Sequence, residues 1–250
     1  MTVERIFRFL SPLALLALWE LVVRTGLVDA RFFPAPSSIV GDFVQFLVSG
    51  ELLSNTLTTL QRVAFGFFIG AIPGVALGLL VGVNRIARAV IEPIVAILYP
   101  IPKIAILPLI LLIFGIGESS KYAIVAIGVF FIMLINTAAG VRQIESIYLD
   151  VARVFEIRRR SFYLRVLLPG ALTNVFAGIK LSIGIAIVLA VAAEFTAAKS
   201  GLGFQIWNAW QTLQVERMYV ALVMVSILGY ALTLLGNALE DLLVPWRSRT

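Results

Sequence analysis

Chemistry on covalent bonds calls for side chains that are missing here. Among 250 residues there is no histidine and no cysteine, which removes the commonest general base, thiol nucleophiles, disulfides and the usual zinc ligands together. No catalytic, cofactor-binding or metal site is therefore expected. The charged residues that stand out lie inside apolar runs. Lys103 sits in ILYPIPKIAILPLILLIFGIG, with Pro100, Pro102 and Pro108 around it. A lysine at bilayer depth costs about 2.5 to 3.5 kcal/mol on insertion scales, and each interior proline deletes a backbone donor that lipid cannot replace. Lys180 and Glu194 share a second apolar run, 14 residues apart, about 21 Å along an ideal helix and too far to pair with each other. Such groups can steer a charged solute, meet water, or pair with a neighbouring element.

The elements that must position them are membrane helices. The chain is 60% hydrophobic and 14% charged, against about 25% charged in an ordinary soluble domain, and its mean hydropathy is +1.01. This composition predicts an all-α integral membrane protein in one transmembrane domain over residues 1–250. Six apolar stretches approach the length that crosses a bilayer: 9–26, 63–83, 91–117, 122–141, 172–198 and 218–239. The first follows Arg5 and Arg8, as a signal peptide would, but no convincing small-residue cleavage site precedes Glu20, so a retained helix is expected. With the N-terminus inside, 12 of the 20 basic residues fall in cytoplasmic segments and six in outer ones. The positive-inside rule then places both termini in the cytoplasm. Topology thus accounts for the net charge of +6, and nucleic-acid binding has no support.

Several features go beyond anchoring. Gly66, Gly70, Gly74, Gly78 and Gly82 recur every four residues in the second span, laying a groove along one helix face that suits close packing or the sliding of a neighbour. Three prolines around Lys103 predict a broken third span. Irregular backbone at that depth is tolerated only against protein or a water-filled cavity, and discontinuous helices recur at transporter binding sites. Lys103 then meets water or a partner, the alternative being a lysine that snorkels to the inner surface. Glu194 falls near the outer end of the fifth span beside Gly201 and Gly203 in SGLGF. It is either a solvated helix end or, with those glycines, part of the lining of an outer pathway. Between the first two spans, Ile39, Phe43, Phe46 and Leu47 follow FFPAP at helical spacing, which predicts a short amphipathic helix at the outer interface. Trp246 has the position of an interfacial anchor.

The segment 142–168 is a long cytoplasmic connection in a chain whose other connections are short. Ile147, Val151, Val154 and Phe155 lie at i, i+4, i+7 and i+8, with Asp150 early and Arg158 to Arg160 at the end. That pattern is a short surface helix with one apolar face. A second protein is the natural cover for it.

With these residues in view, the chain resembles the membrane permease subunits of bacterial ABC importers, in particular the nitrate, sulfonate, taurine and bicarbonate branch. The likeness covers nearly the whole chain. The family's loop pattern is Glu-Ala-Ala, three residues, Gly, then Ile-x-Leu-Pro. It is matched by Asp150, Val151 and Ala152, by Glu156 at the glycine position, and by Val166, Leu167, Leu168 and Pro169. FFPAPSSIV, PIPKIAILPLILLIFGIGESSK, INTAAGVR, AAEF and SGLGFQIWNAWQ are similar to this branch as well. The resemblance implies a type I ABC importer permease-like bundle in the bacterial inner membrane. It also implies a second permease copy, forming a homodimer, together with an ABC ATPase docked on the loop and an extracytoplasmic solute-binding protein. ATP and Mg would belong to the ATPase, since the chain carries no phosphate loop G-x-x-x-x-G-K-[ST]. By position, Asp150, Ala152, Glu156 and Pro169 would sit in the ATPase-coupling loop. Glu156 replaces a glycine that permits a bend, so a different bend is expected there.

The implied solute is a small anion such as nitrate, sulfonate or bicarbonate, or alternatively a vitamin precursor. The rival readings are an ion-coupled secondary transporter using Lys103 or Glu194, which leaves the basic loop without a task, and a membrane enzyme, for which no nucleophile, acid and metal ligands converge.

Overall fold

The computed structural model describes residues 3–245, apart from the side chains of residues 3–6, 8, 9 and 197. Every regular element among them is helical. In chain order these are α1 (Val3–Arg24), α2 (Pro36–Val48), α3 (Glu51–Val83), α4 (Arg85–Leu98), a 3-10 turn (Lys103–Ile106), α5 (Leu107–Phe114) and α6 (Glu118–Arg142). They are followed by α7 (Ser146–Val154), α8 (Arg159–Phe162), a π turn (Tyr163–Leu167), α9 (Leu168–Ala197), α10 (Leu202–Gln211) and α11 (Val215–Leu243). Trp246 lies outside the described residues.

Four helical segments are long and apolar enough to cross a membrane, namely α3, α6, Arg159–Thr196 and α11; α4 with the segment Lys103–Phe114 makes a fifth, bent by 87°. The sixth expected span corresponds to α1. It has 22 residues, about 33 Å of helix, but it is interrupted by Glu20 and ends on Arg24. Its C-terminal end is docked: Val23 is buried, Trp19 packs on Tyr219 with ring centroids 5.8 Å apart, and the Glu20 carboxylate accepts from Ser37 N (3.0 Å) and Ser37 Oγ (2.8 Å). Glu20 thereby satisfies a free N–H in the first turn of α2, which has no cap of its own.

The core is an α3–α6–α9 sandwich. Each glycine of the predicted ridge is buried, and a β-carbon at Gly66, Gly74 or Gly78 would come within 2.6 Å of Val125 Cβ, 2.8 Å of the Phe130 carbonyl or 2.6 Å of Thr137 Cβ. At Gly70 and Gly82 it would overlap the Ala126 carbonyl and Val141. The ridge is a seam that brings α3 onto the backbone of α6, as small residues do in lipid. Gly140 and Gly178 do the same on the α6–α9 side, against Asn174 and Asn136.

Several span boundaries differ from expectation, two of them with a clear local cause. α3 begins at Glu51, 12 residues before the apolar run at 63, because its N-terminal part packs on α2 and α10. The third span starts at Arg85, where the Asn84 side chain accepts from Ile86 N and Ala87 N at 2.9 and 3.0 Å, a strong N-cap. α2 is also differently faced. Ile39 and Phe46 are buried and Phe43 half-buried, but Leu47 is exposed together with Val40, Val44 and Val48. The helix therefore carries a buried apolar face, an exposed apolar face and a polar stripe, a pattern of three faces and not of two.

Candidate functional site

Glu194, Gly201 and Gly203 come together around Arg62, a basic residue just before the second expected span. Arg62, buried on α3, donates through Nε and Nη2 to the two oxygens of Glu118 (2.7 Å each) and through Nη1 to Glu194 (2.8 Å) and the Ser200 carbonyl (2.7 Å). Glu194 is fully buried. It also accepts from Thr59 Oγ1 (3.0 Å) and from Gly203 N (2.7 Å), while Thr59 Oγ1 accepts from Leu202 N (2.8 Å) and Asn55 Oδ1 from Gly201 N (2.7 Å). The N–H groups of Gly201, Leu202 and Gly203 at the start of α10 thus each have a side-chain acceptor, and a carboxylate stands at its positive end. Lys121 adds a second cation, 3.3 Å from Glu118.

The glycines of SGLGF follow from this arrangement. Gly201 has φ +109°, a region L-residues avoid, and a β-carbon there would strike the Glu194 carboxylate and lie 2.6 Å from Arg62 Nη1. A β-carbon at Gly203 would lie 2.8 Å from Glu194 Cβ. Glu194 therefore acts as a tie among α3, α6, α9 and α10 in this structure and presents no free carboxylate to a solute. The signal for Arg62 was in the sequence: Asn55, Thr59, Arg62 and Gly66 lie at i, i+4, i+7 and i+11, so the polar stripe of α3 continues the glycine ridge.

Lys103 belongs to a different place. Its Nζ donates to the carbonyls of Leu98 (3.0 Å), Tyr99 (2.8 Å) and Ile101 (2.8 Å), and lies 4.7 Å from the Phe131 ring centroid and 5.7 Å from that of Tyr99. The break in the third span is thus real, and the lysine covers it. Below it, Tyr99 forms one wall of a cleft of about 390 Å³ shared with Ile132, Ile135 and Asn136 of α6 and Leu181 and Gly184 of α9. The cleft is apolar but for the Asn136 amide and the Tyr99 phenol. Lys180, the third intramembrane charge, pairs with Glu240 of α11 at 2.7 Å.

The long connection 142–168 forms two short helices, α7 and α8. Ile147, Val151, Val154 and Phe155 are exposed at 59, 45, 80 and 75%, so the apolar stripe looks outward. Ala152 faces the other way and is buried. A groove of about 500 Å³ runs behind α7, lined by Tyr148, Val151, Ala152, Ile157, Val166 and Pro169 among others. The Asp150 carboxylate accepts from Arg153 at 3.1 Å, both exposed, a contact worth little. Glu156 adopts φ +47°. Its N–H donates to Arg153 O (3.0 Å), and that of Ile157 to Ala152 O (3.2 Å), which is the paired bonding of a Schellman motif. The bend is therefore made in glycine's own conformation in spite of the side chain, where a different bend was expected.

A family described as "Binding-protein-dependent transport system inner membrane component" matches residues 74–249. Over 96% of this chain and 87% of its own length, a protein of Bacillus subtilis (strain 168) named as the aliphatic sulfonates transport permease SsuC is 34% identical. The nitrate import permease protein NrtB of Leptolyngbya laminosa is 35% identical over 75% of this chain and 67% of its own. The taurine transport system permease protein TauC of Escherichia coli (strain K12) is 28% identical over 93% and 86%. Among solved structures, the methionine ABC transporter MetNI in an inward-facing conformation superposes with a TM-score of 0.66 at 21% identity, over 77% of this chain and 96% of that one. An amino acid ABC transporter with histidines superposes with a TM-score of 0.61 at 17% identity, over 81% and 97%. At such identities the structures speak to the fold alone, and the fold is that of the type I ABC importer permeases.

Proposed function

This chain belongs to the binding-protein-dependent transport system inner membrane components, and from that premise we propose that it forms the translocation pathway of an ATP-driven importer for a small anion. Sulfonates and nitrate are the leading solutes, since the similar permeases carry those names. Selection rests on an external solute-binding protein. Two copies of the chain would enclose the path, with both termini in the cytoplasm, and a separate ATPase subunit would bind and hydrolyse Mg-ATP.

The observation that carries this reading is the outward apolar stripe of α7. Four large apolar side chains face away from the chain, and burying each on a partner is worth about 1.5 to 3 kcal/mol, less the cost of association. An ATPase groove is a cover that also explains why such a helix sits on a bend next to α9. Closure of the ATPase pair would pull α7 and swing the bundle between outward and inward access. The reading of the chain as an ion-coupled transporter loses ground to the site geometry, because the Lys103 donors and the Glu194 oxygens are all engaged within the chain.

Two experiments test the proposal. Val154→Asp buries a charge at the docking face and should abolish co-purification with the ATPase and solute uptake, while Arg159→Ala should change either only slightly. In vesicles rebuilt from permease, ATPase and binding protein, uptake should require ATP. Uptake that proceeds without ATP or without the ATPase would overturn the reading.

A further inference from the structure

The break at Lys103 has the composition of a cation site. In a continuous helix Pro102 would lie four residues after Leu98 and would have to supply that carbonyl's N–H, which proline lacks. The carbonyls of Leu98, Tyr99 and Ile101 instead turn to one point, 2.8 to 3.0 Å from the Lys103 ammonium. Three acceptors meet a group that has three N–H donors and no acceptor. The face of Phe131, from α6, lies beside the same nitrogen at 4.7 Å, adding the attraction of an aromatic ring for a positive charge. None of the ion pairs among the described residues involves Lys103. Carbonyl dipoles at the negative end of α4 hold this charge, as unwound backbone carbonyls and half-helix ends hold small cations in other broken spans.

We propose that the turn between α4 and α5 is a monovalent-cation site whose resident cation is the chain's own Lys103 ammonium, and that this tethered cation holds the 87° bend of the third span. Lys103 is then a positioning residue. With its three donors committed to backbone, it offers none to a passing anion. Through the bend it sets Tyr99 against Asn136 and Gly184 in the adjoining cleft. The inference does not rest on the transported solute or on the ATPase.

Removing the ammonium should open the site to a free cation of the same chemistry. The full-length permease is purified in detergent as wild type, Lys103→Ala and Lys103→Met, and thermal unfolding is followed in ammonium chloride and in choline chloride at equal ionic strength. Ammonium should raise the midpoint of Lys103→Ala by about 2 to 4 °C, in a saturable way, because the shortened side chain vacates the carbonyls. Wild type, whose site is filled, and Lys103→Met, whose stem occupies it, should not respond. Equal shifts in all three proteins, or no shift in Lys103→Ala, would overturn the proposal. If Lys103→Ala is not recovered folded, Lys103→Gln decides: its amide keeps two N–H donors, so it should unfold above Lys103→Met, and a midpoint no higher than that of Lys103→Met would be equally fatal. Transport is not read in any arm, so a wrong functional assignment leaves the result intact.

Discussion

Glu156 holds a left-handed backbone, φ +47°, at the position where the resembling permeases have glycine. A β-carbon there costs roughly 1 kcal/mol or more, and the Schellman bonds to Arg153 and Ala152 carbonyls recover the geometry without recovering that cost. Glu156→Gly should therefore stabilise the loop by about 1 kcal/mol with no change in its path. Hydrogen exchange of the Glu156 and Ile157 amides measures it: slower exchange in the variant is the expected outcome, and faster exchange would mean that the carboxylate itself holds the turn. The residue type at 156 was legible as a departure, but its effect was not. Which φ a glutamate adopts depends on whether the two flanking helices, α7 and α8, offset the strain of the turn, and that is settled by how α7 packs on the π turn that follows α8.

At the scale of elements, the α3–α6 seam determines where everything else goes. Five glycines, one per helical turn, let the two backbones approach closely enough that Ala126 and Phe130 carbonyls lie against the glycine face. Gly74→Leu introduces four carbons where the Phe130 carbonyl is 2.8 Å from a β-carbon site. Neither a rotamer change nor lipid can absorb that, since the obstacle is backbone. The variant should fail to assemble instead of transporting slowly, which size-exclusion profiles of detergent-purified protein would reveal. A monodisperse profile with wild-type uptake would place the seam elsewhere. The period-four glycines announced this seam in advance; the identity of the helix on its other side followed only from the fold.

The whole bundle is tied at one end by the Arg62 cluster, where four helices meet with balanced charge: Arg62 and Lys121 against Glu118 and Glu194. Breaking a buried pair by removing one partner costs about 3 to 5 kcal/mol, because a charge is left uncompensated. Arg62→Met should be that destabilising, since Glu194 is fully buried. Glu194→Gln should cost less, because an amide oxygen at the Oε2 position still accepts from Gly203 N and Thr59 Oγ1, and Arg62, though its Nη1 then faces the amide NH2, keeps its two bonds to Glu118 and its bond to the Ser200 carbonyl. Thermal unfolding of the two variants tests the ranking, and equal losses would show that packing around the cluster, not charge, carries the stability.

What the sequence by itself determined is what depends on composition and local spacing. A chain 60% hydrophobic with no histidine or cysteine is a membrane helix bundle without the usual catalytic groups. Its prolines break the third span at Lys103, its glycines make one helix face a close-packing seam, and residues 147, 151, 154 and 155 form an apolar stripe. These follow from 3.6-residue periodicity and from the donors that proline lacks. Tertiary structure alone decided which charges meet. Glu194 read as either a solvated helix end or the lining of a pathway, and its 14-residue separation from Lys180 excluded only one partner, while its actual partner, Arg62, lies 132 positions away. Lys103 was expected to meet water or a partner, but the sequence could not name that partner, because backbone carbonyls exist at every position and become acceptors for an ammonium only where the chain turns them toward it. Pairing of a charge across a bundle depends on helix register, and register is set by the sum of all the packing contacts, which no local pattern contains.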